Sequence, residues 1–164
     1  NCLLSMKIFC KLQKIISNAE FTIIGEGPTK EECIDYIKRK STNFKSFKFK
    51  EFQKNLGSYF LDSDIFISLS ETEGMPNIVL ECASYKCPLI LSNIYAHKKI
   101  FPKEAVFFVP INNQKEIVNT LVKALNSRIL MQKKASLAYN TILKNHNPIN
   151  IAMEYEKNYQ NFIL

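Results

Sequence analysis

The strongest constraint on this chain is the way its apolar residues switch period as the sequence runs on. Phe21-Thr-Ile-Ile24, Asp64-Ile-Phe-Ile-Ser-Leu69, Pro88-Leu-Ile-Leu91 and Ala105-Val-Phe-Phe-Val109 are short, nearly continuous apolar runs, the pattern of strands covered on both faces. Helical spacing fills the intervals. Residues 3–16 carry Leu3, Leu4, Ile8, Leu12 and Ile15 on one stripe, and residues 29–40 carry Cys33, Tyr36 and Ile37. Further helices are expected at about 54–61, 76–85 and, within a loop, 96–100. Helices at 113–125, 127–143 and 149–162 close the chain. Phe44–Phe49 alternates Phe with Lys or Ser, as an outer strand does. Parallel strands need long crossovers, and helices supply them. The expected fold is therefore a doubly wound, Rossmann-like α/β domain over 1–164, with a parallel sheet and helices on both faces. The chain opens on a helix, so a first strand is expected ahead of it.

At 164 residues and 46% hydrophobic, the chain can bury one proper core and is not disordered. No apolar run reaches the ~18–20 residues of a membrane span, and no secretory signal pattern is visible. The net charge of +7 favours anionic partners: nucleotides, phosphates or acidic lipid headgroups. Nucleic acid is not expected, because the lysines are scattered and the one cluster, Lys38-Arg39-Lys40, reads as a solvated helix end. The five cysteines form no C-x-x-C pair, and His97 and His146 lie far from ligand spacing. Free thiols in a reducing compartment are expected, with no metal site.

Chemistry concentrates in Glu73-Gly-Met-Pro-Asn-Ile-Val-Leu-Glu81. Pro76 suits a first helical position, since its φ is helical and its missing N–H would be unused there. Gly74 permits close backbone approach, and the free N–H groups at 75–78 form an anion site at a helix start. Glu81 sits among Ile78, Val79, Leu80, Cys82 and Ala83, a run that reads as core, where a lone carboxylate needs a partner. Asn77 and Glu81 share one helix face. The segment also follows directly on the strand at 64–69, and ligands of doubly wound sheets bind beyond the carboxyl ends of strands.

Gly25-x-Gly27-Pro28 follows a strand like half of a dinucleotide fingerprint, but lacks the third glycine and the later acidic residue. Lys98, Lys99 and Lys103 read as a solvated loop that could also neutralise a diphosphate. His97 is expected partly exposed on that loop, as a hydrogen-bond donor rather than a base. Ser70 and Asn93 stand at strand ends as polar contacts. No Ser/His/Asp arrangement is visible.

Together these segments resemble the group 1 (family 4) retaining glycosyltransferases of GT-B architecture. Phe21–Pro28 is similar to the family's strand and glycine turn, and Asp62–Ser70 to its strand ending in a polar loop. Glu73–Glu81 matches the E-x7-E motif, Lys86–Ser92 the following strand, and Phe108-Val-Pro110 a later one. The resemblance covers nearly the whole chain. It implies the C-terminal, donor-binding half of the enzyme. Residues 148–164 would be the terminal helix crossing toward an N-terminal acceptor domain, and the family's diphosphate-clamping Arg and Lys would lie ahead of the opening helix.

The resemblance further implies a nucleotide-diphosphate sugar as substrate, with no cofactor and no metal, and hexosyl transfer in glycan biosynthesis. Glu73 would be the catalytic carboxylate, touching the sugar hydroxyls, and Glu81 would hold the ribose. Gly25, Gly27, Ser70, Gly74, Met75, Pro76 and Asn77 would complete the donor site. Lys50, Glu51 and Phe52 would lie near the base. The family's usual glycine is replaced by Lys86. A cytoplasmic location, peripheral at the inner membrane face, fits the basic balance. The chain by itself is expected to be inactive. The alternative readings are a nucleotide-binding module without transferase chemistry and a sugar-nucleotide epimerase.

Overall fold

A computed structural model describes residues 1–146 and 148–163. The expected alternation is present throughout: α1 (Cys2–Leu12), β1 (Phe21–Ile24), α2 (Lys30–Lys40), β2 (Phe47–Lys50), α3 (Gly57–Asp62), β3 (Phe66–Ser68), α4 (Asn77–Ser84), β4 (Leu89–Ser92), α5 (Tyr95–Ile100), β5 (Phe107–Val109), α6 (Gln114–Leu125), α7 (Arg128–Asn145) and α8 (Pro148–Ile163). Residue 164, which the terminal-helix expectation included, lies outside the described residues. No helix among the described residues is long and apolar enough to cross a membrane.

All strand pairs are parallel. Phe21 pairs with Phe47 and Ile24 with Lys50; Phe66 pairs with Leu89, and Leu91 with Phe108. The order is β1–β2 in one hydrogen-bonded group and β3–β4–β5 in the other. Side-chain alternation puts one apolar cluster on each face. Ile67, Ile90 and Phe107 join the cluster under α1, α2 and α6, whereas Phe66, Leu89, Leu91 and Phe108 join the one under α4, α5 and α7. β4 is buried at every position, so its apolar run is the longest-range signature of double coverage.

Phe9, Phe21 and Phe47 form the aromatic centre of the first cluster, with Phe9 4.9 Å from Phe21 and 5.0 Å from Phe47 between ring centroids. Lys134 on α7 is 9% exposed and directs its Nζ to the carbonyls of Lys103, Glu104 and Val106 at 2.9–3.0 Å. Three N–H donors thus meet three acceptors. Burial pushes this amine below its ordinary value, and the carbonyl cage offsets that cost by binding the ammonium form.

The outer strand begins later than its Phe/Lys alternation implies. The Asn43 side chain accepts from the Lys45 N–H at 3.1 Å and caps a 3-10 turn over Phe44–Ser46, so pairing starts at Phe47. α1 ends at Leu12 rather than near 16. There Gln13 is buried and donates to the Asn43 carbonyl at 2.9 Å, and a turn replaces the last helical residues.

Candidate functional site

Beyond β3 the chain passes through buried Leu69 to Ser70, whose Oγ donates to Glu73 Oε1 at 2.6 Å. Ser92, the buried last residue of β4, donates its own Oγ–H to the Ser70 carbonyl at 2.6 Å. Two neighbouring strand ends are fastened together in this way, and the half-buried Glu73 is held in one orientation.

His97 completes the support. It is fully buried on α5 and not partly exposed on a loop as the sequence implied. Its Nδ1 lies 2.9 Å from the Ser92 carbonyl and 3.3 Å from Ser92 Oγ. A carbonyl can only accept, so Nδ1 carries the proton. Nε2 is then an acceptor, buried and without a partner among the described residues. The imidazole is held inside because the turn after β4 brings α5 back over Ser92, with Ile94 N–H bonded to the Ser92 carbonyl at 2.8 Å.

α4 begins one residue later than expected. Pro76 is buried in the capping position, and its carbonyl accepts from Val79 at 2.9 Å and Leu80 at 3.2 Å. The Asn77 N–H, expected to face a ligand, instead bonds the Met75 carbonyl at 2.9 Å. The N–H groups of Gly74, Met75 and Ile78 carry no acceptor among the described residues. They are the available donors at this helix start, where the dipole favours negative charge.

Glu81 is exposed, which corrects its reading as a carboxylate within the core. The helix turns Val79, Cys82 and Ala83 inward and leaves Asn77, Ile78 and Glu81 outside. The shared face of Asn77 and Glu81 is therefore present, without a desolvation cost. Beneath it, burial pushes the Cys82 thiol far above its ordinary value, so it stays neutral and acts as core. All five cysteines are free thiols.

A second cluster stands at the ends of β1 and β2. Gly25 has φ +109°, a conformation that favours glycine, and its N–H bonds the Lys50 carbonyl at 3.0 Å. The two predicted loops are thus joined. Lys50, Glu51 and Phe52 are exposed, Phe52 to 74%. A Cβ added to Gly27 or Gly74 would meet no protein atom within 4 Å. Glu26 between the glycines pairs with Lys30 at 3.2 Å on the surface, an interaction worth little. Lys98, Lys99, Lys103 and Asn93 are exposed.

The structure brings Ser70 to Glu73, and Gly25 to Lys50; the two clusters stand on different strand groups. Ser92 is the residue that the sequence did not mark for a role. Its signal was a hydroxyl closing an otherwise apolar run, at Leu89-Ile-Leu-Ser92.

The chain is 26% identical over 118 residues to the UDP-Gal:α-D-GlcNAc-diphosphoundecaprenol α-1,3-galactosyltransferase of Escherichia coli, covering 71% of this chain and 30% of that protein. The fold is similar to an S. aureus TarM mutant in complex with fondaparinux, α-GlcNAc-glycerol and UDP, with a TM-score of 0.85 at 18% identity over 94% of this chain and 31% of that one. It is also similar to the C-terminal domain of a group 1 glycosyl transferase, LpcC, from Francisella tularensis, with a TM-score of 0.78 at 21% identity over 89% of this chain and 79% of that one. The chain spans roughly a third of the length of the curated relatives it matches, between 30% and 38%. A family model matches residues 1–143, well over half of the sequence, and on that ground the chain belongs to the glycosyl transferases group 1.

Proposed function

We propose that this chain is the C-terminal, donor-binding domain of a retaining, family 4 glycosyltransferase of GT-B type. It holds a nucleotide-diphosphate sugar for hexosyl transfer to an acceptor carried by an N-terminal domain. The observation that carries the reading is the rim after β3: Glu73 fixed through Ser70 at 2.6 Å, beside the acceptor-free N–H groups of Gly74, Met75 and Ile78. The UDP bound in the TarM crystal structure supports a nucleoside diphosphate as the ligand class.

In this reading the leaving diphosphate gains negative charge as the sugar departs, and preorganised N–H donors stabilise that charge without reorganisation. Glu73 accepts from sugar hydroxyls and fixes the ring in a reactive orientation. Glu81 accepts from the ribose, Gly25 and Gly27 let the backbone approach the nucleotide, and the exposed Phe52 ring stacks on the base. No metal takes part. The complete enzyme works in the cytoplasm, where the +7 charge favours an anionic membrane face. This chain alone turns over no substrate.

Thermal shift tests the reading. At 100 times its Kd, a nucleoside diphosphate stabilises the chain by about 2.7 kcal/mol, and at the same concentration Glu81→Ala retains no more than about half of that stabilisation. If UDP, GDP and ADP at millimolar concentration all leave the Tm unmoved, the reading fails.

A further inference from the structure

The two carboxylates of Glu73–Glu81 stand in unlike surroundings. Glu81 is exposed, and neither of its oxygens bonds among the described residues. Glu73 is half-buried and accepts the Ser70 Oγ–H at Oε1 across 2.6 Å, while its Oε2 has no partner among the described residues. A hydroxyl-to-carboxylate bond of this length is charge-assisted and strong, so Glu73 offers its second oxygen in one direction. The sequence marked Ser70 as a contact to the ligand. A hydroxyl has a single proton to give, and here Glu73 takes it. Ser68 Oγ, 3.4 Å away, is then the donor between the two serines. The main chain of Ser70 is fixed as well. Its carbonyl accepts from Ser92 Oγ at 2.6 Å, and the Ser92 carbonyl accepts from His97 Nδ1 and the Ile94 N–H.

We propose that Ser70 is a positioning residue that acts on the donor sugar through Glu73 and does not touch the ligand itself, with Ser92 and His97 supporting it from the neighbouring strand. The assignment rests on the donor-binding reading above and adds a division of labour to it. A glutamate free to rotate loses rotamer freedom when a ligand orders it. Glu73 has lost that freedom before the ligand arrives, whereas Glu81 loses it on binding. The rim is therefore preorganised for the sugar and not for the ribose. The ligand that gains from this is a glycosylated nucleoside diphosphate, whose sugar hydroxyls reach Glu73. A bare nucleoside diphosphate has no sugar to place there, so its affinity does not depend on the Ser70 hydroxyl in the same way.

Calorimetric titration of the 164-residue chain tests this with UDP, GDP and ADP, and with UDP-glucose, UDP-galactose, UDP-N-acetylglucosamine, GDP-mannose and ADP-glucose. The quantity read is the affinity of the tightest sugar conjugate divided by that of its own nucleoside diphosphate. Any loss of folded protein affects both ligands alike and cancels in this ratio. The expected result is that Ser70→Ala lowers the ratio about 3–10-fold and Glu73→Ala lowers it at least as far. The double variant falls no further than Glu73→Ala, because a residue that acts through Glu73 has no effect without it. An unchanged ratio in Ser70→Ala overturns the proposal. So does a loss that adds to that of Glu73→Ala, which puts the Ser70 hydroxyl on the sugar itself. Binding of a nucleoside diphosphate with none of the conjugates overturns it too. Absence of binding by every one of these ligands defeats the donor-binding reading on which it stands.

Discussion

Ser92 Oγ donates to the Ser70 carbonyl across 2.6 Å, and this bond joins the end of β4 to the rim that carries Glu73. Ser92 is fully buried and Ser70 half-buried, so removing the hydroxyl leaves a partly desolvated acceptor without this donor. Ser92→Ala is expected to lower stability by about 1–3 kcal/mol, read from urea unfolding. His97→Leu removes one of the two donors on the Ser92 carbonyl, leaving the Ile94 N–H at 2.8 Å, and is expected to cost about 0.5–1.5 kcal/mol. His97→Asn retains an N–H donor of comparable reach and should cost less. Equal losses for the Leu and Asn variants would show that the imidazole serves by volume alone.

The exposed face of α4 behaves differently. Glu81 and Gly74 touch little protein: Glu81 is exposed, and a Cβ at Gly74 meets open space without a positive φ. Glu81→Ala and Gly74→Ala should each change stability by no more than ~0.5 kcal/mol. Each should weaken nucleoside-diphosphate binding at least ~10-fold, equivalent to 1.4 kcal/mol. Calorimetric titration checks the second figure and urea unfolding the first.

Lys86 occupies the position just past the end of α4 with φ 55°, and its N–H bonds the Ala83 carbonyl at 3.0 Å. This is the left-handed closing residue for which glycine is favoured, the residue that the family resemblance led us to expect there. The strain of about 1 kcal/mol is partly offset by the ammonium lying 4.7 Å from the Tyr139 ring centroid, worth ~0.5–1 kcal/mol. Lys86→Gly should therefore be nearly neutral, and more stable than Lys86→Ala by about 1 kcal/mol, in thermal unfolding.

Cys33 is fully buried, and burial with a contact to Cys2 pushes its thiol up to about 12 from an ordinary 9.0. In the window between those values the unfolded thiol has released its proton and the folded one has not. The unfolded state then binds fewer protons, so stability falls as pH rises through that window and is fully present below pH 9. Between pH 8 and 10.5 the wild-type chain should lose about 1–2 kcal/mol more than Cys33→Ala does. Parallel losses in the two would remove the thiol as the cause.

Much of this architecture was legible in the residues. Phe21–Ile24 is a strand with the bounds its apolar run implied, because double coverage leaves no polar position to blur them. The errors arose where side chains bond locally or meet across the fold. Asn43 capping a tight turn delays β2, and hydropathy does not record a cap. Glu81 seemed buried because its neighbours are apolar, but a helix of eight residues can still turn one of them outward. The burial of His97 depends on meeting Ser92 at the end of another strand, a contact that the order of residues does not announce. The Ser70–Glu73 bond joins neighbours in sequence and could be suspected; the Ser92–Ser70 bond, which positions it, could not.

The anchoring of α4 through Val79, Cys82 and Ala83 has an evolutionary consequence. The three side chains that hold the helix are not those that look outward at Asn77, Ile78 and Glu81. Replacements on the outer side can accumulate singly without endangering the scaffold, so the surface that this helix presents to solvent is free to change between lineages while the support beneath it stays the same.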